Sequence, residues 1–150
     1  MKKKGFTLVE LLAVIAIIAV LAITIAPNVI DSFNDTKKQN FITETREVCR
    51  EATNKYIRES VITMEVVDYY RFNNDESHSL DLNGRKEFNY FIKLNTDGEV
   101  VGLLTWDGTY TIKIVNGNGI DPKYITESDL VTNIDTSGMS VTKANNILNN

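Results

Sequence analysis

The chain has 150 residues, with 16 Lys and Arg against 20 Asp and Glu for a net charge of −4, and 43% of its residues are hydrophobic. No basic stripe appears beyond Lys2, Lys3 and Lys4, which argues against nucleic-acid binding, because that depends on clustered cations releasing counterions. Cys49 is the single cysteine, so no intrachain disulfide can form.

The first element is an apolar run. From Leu11 to Ala26 every residue is Leu, Ala, Val or Ile except Thr24, and Phe6 to Ile30 counts 25 residues. At about 1.5 Å per residue that is roughly 37 Å of helix, enough to cross a bilayer. Three lysines before the run and Asp31 after it set the N-terminus in the cytoplasm and everything past Val29 outside. Glu10 is the lone ionisable group of the run. A charged acid in the hydrocarbon region costs roughly 2.5–3.5 kcal/mol on insertion scales, so it needs a partner or a role.

A secretory signal also begins with lysines and an apolar core. Small-x-small sites occur at Ala19-Val20-Leu21-Ala22 and at Thr24-Ile25-Ala26, but the first lies inside unbroken hydrophobic sequence and the second puts Pro27 directly after the cut. A plain membrane anchor fits the run and gives no reason for Glu10.

The stretch Lys4-Gly5-Phe6-Thr7-Leu8-Val9-Glu10-Leu11-Leu12 resembles the class III signal of type IV pilins and pseudopilins. That pattern joins a short basic leader, a glycine before the cut, a phenylalanine after it, a glutamate four residues on, and about twenty apolar residues. The resemblance covers only the first thirty or so residues. It implies that a membrane-embedded prepilin peptidase cuts between Gly5 and Phe6, then methylates the new Phe6 amine. Gly5 suits a narrow protease site because it has no Cβ. Glu10 then pairs with a Phe6 amine, its own in the membrane and a neighbour's in a filament, an attraction strengthened by low dielectric and by the helix N-terminus. The other implied partners are further pilins and an inner-membrane assembly platform. The implied locations are a single-pass membrane store and then a cell-surface pilus, with no enzyme activity and no cofactor.

Pro27 removes a backbone hydrogen bond and crowds the preceding turn, which predicts a kink or local melting in a helix otherwise continuing through Val29, Ile30 and Phe33; a plain helix end at the membrane edge is the alternative. An amphipathic stem over 31–59 follows, with Phe33, Phe41, Val48, Ala52 and Tyr56 on one stripe beside Thr45 and Cys49. Glu47, Glu51, Arg46, Arg50 and Arg58 read as a solvated or subunit-facing surface. Burial between stem and head is the expected state of Cys49.

The head is expected over 60–150. Val61 to Phe72, with Val66, Val67, Tyr69, Tyr70 and Phe72, reads equally as more helix or as a strand, and Asn73 to Ser77 breaks it. Glu87 to Leu94, Glu99 to Thr105 and Thr109 to Val115 read as three strands of an antiparallel meander, joined at Asp97-Gly98 and Asp107-Gly108. Tyr124 to Val131 and Val141 to Leu148 each suit a short helix or an extra strand, within loops expected to lack tertiary anchors and face outward. The fold class is therefore α+β, pilin-like: a long N-terminal helix on an antiparallel sheet of three to four strands.

Little in the head points to chemistry. His78 has no second histidine or cysteine at metal-ligand spacing and reads as a surface loop residue. Asp75-Glu76, Asp97-Gly98-Glu99 and Asp107-Gly108 sit where turns want acids, and none matches an EF-hand, which leaves only a calcium site built from separate loops. Trp106 and Tyr69-Tyr70 are assigned to the core or a subunit groove. Three of the 16 basic residues lie in the leader, so without it 13 face 20 acids and the side-chain charge is −7. The functional expectation is a type IV pilus subunit. The alternatives are a pseudopilin of a secretion or DNA-uptake system and a signal-anchored surface binding protein.

Overall fold

The computed structural model describes residues 5–63, 70–82 and 88–150. Val66, Val67, Tyr69 and Glu87, each assigned above to an element, lie outside them. One helix, α1, runs from Leu8 to Thr63, and the chain divides into two compact units, Met1–Lys37 and Lys38–Asn150. In the first unit the only regular element described is the beginning of α1.

The second unit holds the remainder of α1 and four strands: β1 (Tyr70–Phe72), β2 (Asn89–Leu94), β3 (Val100–Trp106) and β4 (Thr111–Val115). They form an antiparallel meander in the order β1-β2-β3-β4. Register places Arg71 beside Ile92, Ile92 beside Leu103 and Leu103 beside Ile114 on the face toward α1. The expected α+β, pilin-like architecture is the one observed, with four strands.

The stem buries Phe41, Ile42, Val48, Cys49 and Ala52 with Tyr56 alongside, a stripe at helical spacing that meets Tyr90, Ile92, Leu103, Ile112 and Ile125. Phe33 is not in it: that ring belongs to the first unit and is 64% exposed, so the buried stripe begins at Phe41. On the other sheet face Phe72, Phe91, Leu104 and Trp106 pack on a second helix, α2 (Val141–Asn149), through Ala144 and Leu148. The Ser140 hydroxyl accepts from Lys143 N and caps α2, which decides the helix reading for this segment. With both faces covered, β2 and β3 are buried almost throughout rather than alternating.

Polar joints fix the stem to this unit. Thr45 and Thr105 share a buried hydroxyl–hydroxyl bond of 2.9 Å. Arg71, 1% exposed, donates to the Glu59 carboxylate, a buried cation on the edge strand answered from the stem. Stem donors also take main-chain carbonyls: Arg46 Nε and Nη2 reach Ile125 O at 2.9 and 2.5 Å, Tyr56 Oη reaches Thr96 O at 2.7 Å, and Lys55 Nζ reaches Ser79 O.

These joints correct the expectation of unanchored loops after Val115. Ile120 N donates to Val100 O at 2.7 Å, Val131 N donates to Thr111 O at 2.9 Å, and Ile125 is 1% exposed. The segment Tyr124 to Val131 forms no α-helix or full strand: it follows a 3₁₀ turn at Pro122–Tyr124, holds a one-turn 3₁₀ helix at Glu127–Asp129, and pairs Leu130 with Ile112 in a single antiparallel bridge. His78 is also less superficial than expected, because its ring stacks on Tyr70 at 4.2 Å and its Nδ1 lies 2.7 Å from Asp75 Oδ2. The hydroxyl of Tyr90 holds Leu80 N nearby at 2.5 Å.

Turns are closed by Asx side chains, as their short acceptors allow. Asp75 takes Ser77 N, Asn95 takes Asp97 N, Asp107 takes Thr109 N, and Asp121 takes Lys123 N. Gly98 closes the β2–β3 turn at φ +80°, where an added Cβ would lie 2.2 Å from the Tyr56 ring. Gly108 has φ +91° with open space around it. Gly98→Ala and Gly108→Ala therefore share the backbone strain, on the order of 1–3 kcal/mol, and only the first adds a clash. Denaturant titration of the full chain in detergent is expected to rank Gly98→Ala well below Gly108→Ala in stability.

Candidate functional site

The residues singled out in the sequence lie at the start of α1. Gly5, Phe6 and Thr7 precede it in non-helical conformation, and Phe6 is 83% exposed. A Cβ at Gly5 would meet nothing within 4 Å, so no packing among the described residues calls for glycine there.

Thr7 and Glu10 form a reciprocal pair that the sequence reading missed. Thr7 N donates to Glu10 Oε2 at 2.8 Å, the Thr7 hydroxyl donates to the same oxygen at 2.9 Å, and Glu10 N donates to Thr7 Oγ1 at 3.3 Å. Thr7 O accepts from Leu11 N at 3.2 Å, the first bond of the helix. This is a capping box, with threonine as the N-cap and glutamate at the third helical position. Its signal was present in the sequence as Thr7-Leu8-Val9-Glu10 before an apolar run. The carboxylate is thus held over the helix N-terminus, where the peptide dipoles favour negative charge.

Around and beyond Glu10 the large apolar side chains have no cover. Leu8, Val9, Leu11, Leu12, Ile15, Ile17, Ile18 and Val20 are each more than half exposed. The segment has a mean hydropathy of 3.0 over 18 residues and is long enough to span a bilayer, and none of that window is buried. A helix that is apolar all round and unburied is suited to lipid or to other apolar helices.

Pro27 lies within α1, which continues through it without a break, so the chain neither ends its helix nor melts at this point. Side-chain hydroxyls serve neighbouring carbonyls: Thr24 Oγ1 donates to Leu21 O at 2.9 Å, Ser32 Oγ to Asn28 O at 2.8 Å and Thr36 Oγ1 to Ser32 O at 2.7 Å. Such back-bonds are associated with helix bending.

Elsewhere the chemistry is sparse. Among the described residues no group of three or more His, Cys, Asp or Glu is placed to hold a metal ion. Glu44, Glu47, Glu51 and Asp81 rim a cleft of ≈360 Å³ whose floor includes Val48 and Phe88, and Glu51 is bonded there to Arg58. Cys49 is buried on the inward face of the stem, with its Sγ 3.7 Å from Ile120 O. Burial first and the Asp121 charge second push its thiol up to about 12, against a smaller opposing pull from Arg50.

Two outcomes follow. Thr7→Ala is expected to cost about 1 kcal/mol of helix-start stability, read as faster amide exchange at Val9 and Glu10 in micelles. Cys49 is expected to resist alkylation at neutral pH in the folded chain and to react on denaturation. Because its pKa is raised on folding, its contribution to stability is complete below the unfolded thiol value of about 8.5 and falls as pH climbs from there toward about 12.

Comparison with curated proteins and with solved structures returned no match. A family model described as the prokaryotic N-terminal methylation motif matches residues 1–26. The N-terminal segment of this chain, through the capped start of its apolar helix, thus carries a prokaryotic N-terminal methylation motif.

Proposed function

We propose that this chain is a structural subunit of a type IV pilus, stored in the membrane by the apolar part of α1 and built into a filament after its leader is removed. The observation that carries the reading is the methylation motif over residues 1–26, set on an apolar helix that the chain leaves uncovered. A prepilin peptidase cuts between Gly5 and Phe6, and the new amine of Phe6 is methylated and stays positive. The capping box supports a part for Glu10 at this end of the helix. Thr7 already fixes the Glu10 carboxylate at the helix start, adjacent in sequence to the amine that cleavage creates.

Extraction of the helix from lipid costs its apolar contacts, which are regained against other helices in the fibre. The Glu10 to Phe6 pair then sets register, because an unpaired charge among packed apolar helices is costly. Pro27 and its flanking back-bonded hydroxyls supply a place where α1 bends or loosens on assembly. A pseudopilin role rests on the same motif. A head acting alone at the surface is the rival from another class.

N-terminal sequencing of the mature protein discriminates. A methylated Phe6 is expected, whereas a mature chain beginning at Met1 or Pro27 would overturn the reading. Glu10→Gln separates cap from charge, since an amide oxygen still accepts from Thr7 but carries no charge. It is expected to be processed normally and to lower sheared-filament yield several-fold, and a wild-type yield would remove Glu10 from assembly. Antibody imaging of sheared fibres distinguishes an abundant pilus subunit from a trace pseudopilin.

A further inference from the structure

The loop after β4 reads Asn116-Gly117-Asn118-Gly119, two Asn-Gly steps in tandem, with residues 116–118 exposed. Glycine after asparagine exposes the backbone to reaction, because no Cβ shields the following nitrogen as it approaches the side-chain amide. On local sequence alone the two asparagines are equivalent. Their hydrogen bonds in the folded loop are not.

Asn118 N donates to Asn116 Oδ1 at 3.1 Å. Gly119 N, the nitrogen that would attack the Asn118 side chain, donates instead to Asn116 O at 3.1 Å and is held at φ +90°. The carboxamide of Asn116 is thus engaged by a donor, whereas the nucleophile beside Asn118 is withheld. Among the described residues, no acceptor takes the N–H of Gly117.

We propose that Asn116 is a site of spontaneous deamidation, selected over Asn118 by the hydrogen bonds of their shared turn. The Gly117 nitrogen loses its proton to solvent and attacks Asn116 Cγ, forming a C–N bond. The developing negative charge falls on Oδ1, the atom that already accepts from Asn118 N, so the turn holds a donor where charge appears. The tetrahedral centre collapses with loss of ammonia to a succinimide. Water then opens the ring at either carbonyl, giving aspartate or isoaspartate at position 116. The net change is one water consumed and one ammonia released, with no oxidant or enzyme required.

The consequence differs between the two products. Aspartate keeps an oxygen for Asn118 N and adds one negative charge to an already acidic chain. Isoaspartate inserts a methylene into the main chain between the anchors Asn116 N to Val101 O, 2.9 Å, and Ile120 N to Val100 O, 2.7 Å. Both anchors fasten the loop to β3, so this product loosens the cover over Cys49.

The test is peptide mapping of the full chain in detergent micelles, incubated at mildly alkaline pH, with fragmentation that separates aspartate from isoaspartate. Product at Asn116 is expected to exceed product at Asn118 several-fold in the folded chain and to become equal to it in urea. Gly117→Ala serves as the control: a Cβ there meets nothing within 4 Å, so the fold is kept while attack is hindered. It is expected to slow Asn116 several-fold. Equal or faster reaction at Asn118 in the folded chain, or a preference for Asn116 that persists in urea, would overturn the proposal.

Discussion

An apolar helix surface that its own chain leaves bare sets the terms for the rest of this molecule. From Leu8 to Ile25 the large side chains stand exposed. Burial is favourable by roughly 25 cal/mol per Å² of apolar area, so such a surface must be covered by lipid or by other helices. The chain contains no second apolar element of comparable length. The first unit therefore gains its stability from its surroundings, whereas the second, with a core on both faces of its sheet, carries its own.

That division clarifies why the polar groups of α1 are placed as they are. Near the start, Thr7 and Glu10 bond each other, so one carboxylate oxygen of the acid enters an apolar setting already holding two donors. In the stem, charged and polar side chains do the opposite and reach across to strands and loops. One reach runs the other way: Arg71 on β1 is fully buried and bonded to Glu59 of the stem, with its Nε lacking an acceptor among the described residues. A buried ion pair of this kind contributes less to stability than its length suggests, but removing either member would leave an uncompensated charge.

Much of this was legible in the sequence, for identifiable reasons. The apolar run, its basic flank and Glu10 are composition signals that no tertiary context alters. The three long strands followed from alternation bounded by Asp-Gly turns, and Gly98 and Gly108 indeed sit at positive φ. β1 stayed ambiguous because three residues hold no period, and its place depends on pairing Phe72 with Phe91. Thr7 is harder to read from the sequence, because Glu10 stands out as a charge in lipid before it stands out as a capping residue. The loops after Val115 misled for another reason: their anchors are backbone groups such as Ile120 N and Ile125 O, which leave no mark in side-chain composition.

Those backbone anchors bear on how such a molecule can change. Arg46, Tyr56 and Lys55 grip the 125, 96 and 79 positions by main-chain carbonyls, a group every residue type possesses. Substitution at the loop positions leaves each acceptor in place, so the outer face can be rewritten while the stem keeps hold of the same atoms. The fold thus separates what the surface displays from what keeps it attached, and tolerance to sequence drift should concentrate in the loops rather than in the stem residues that hold them.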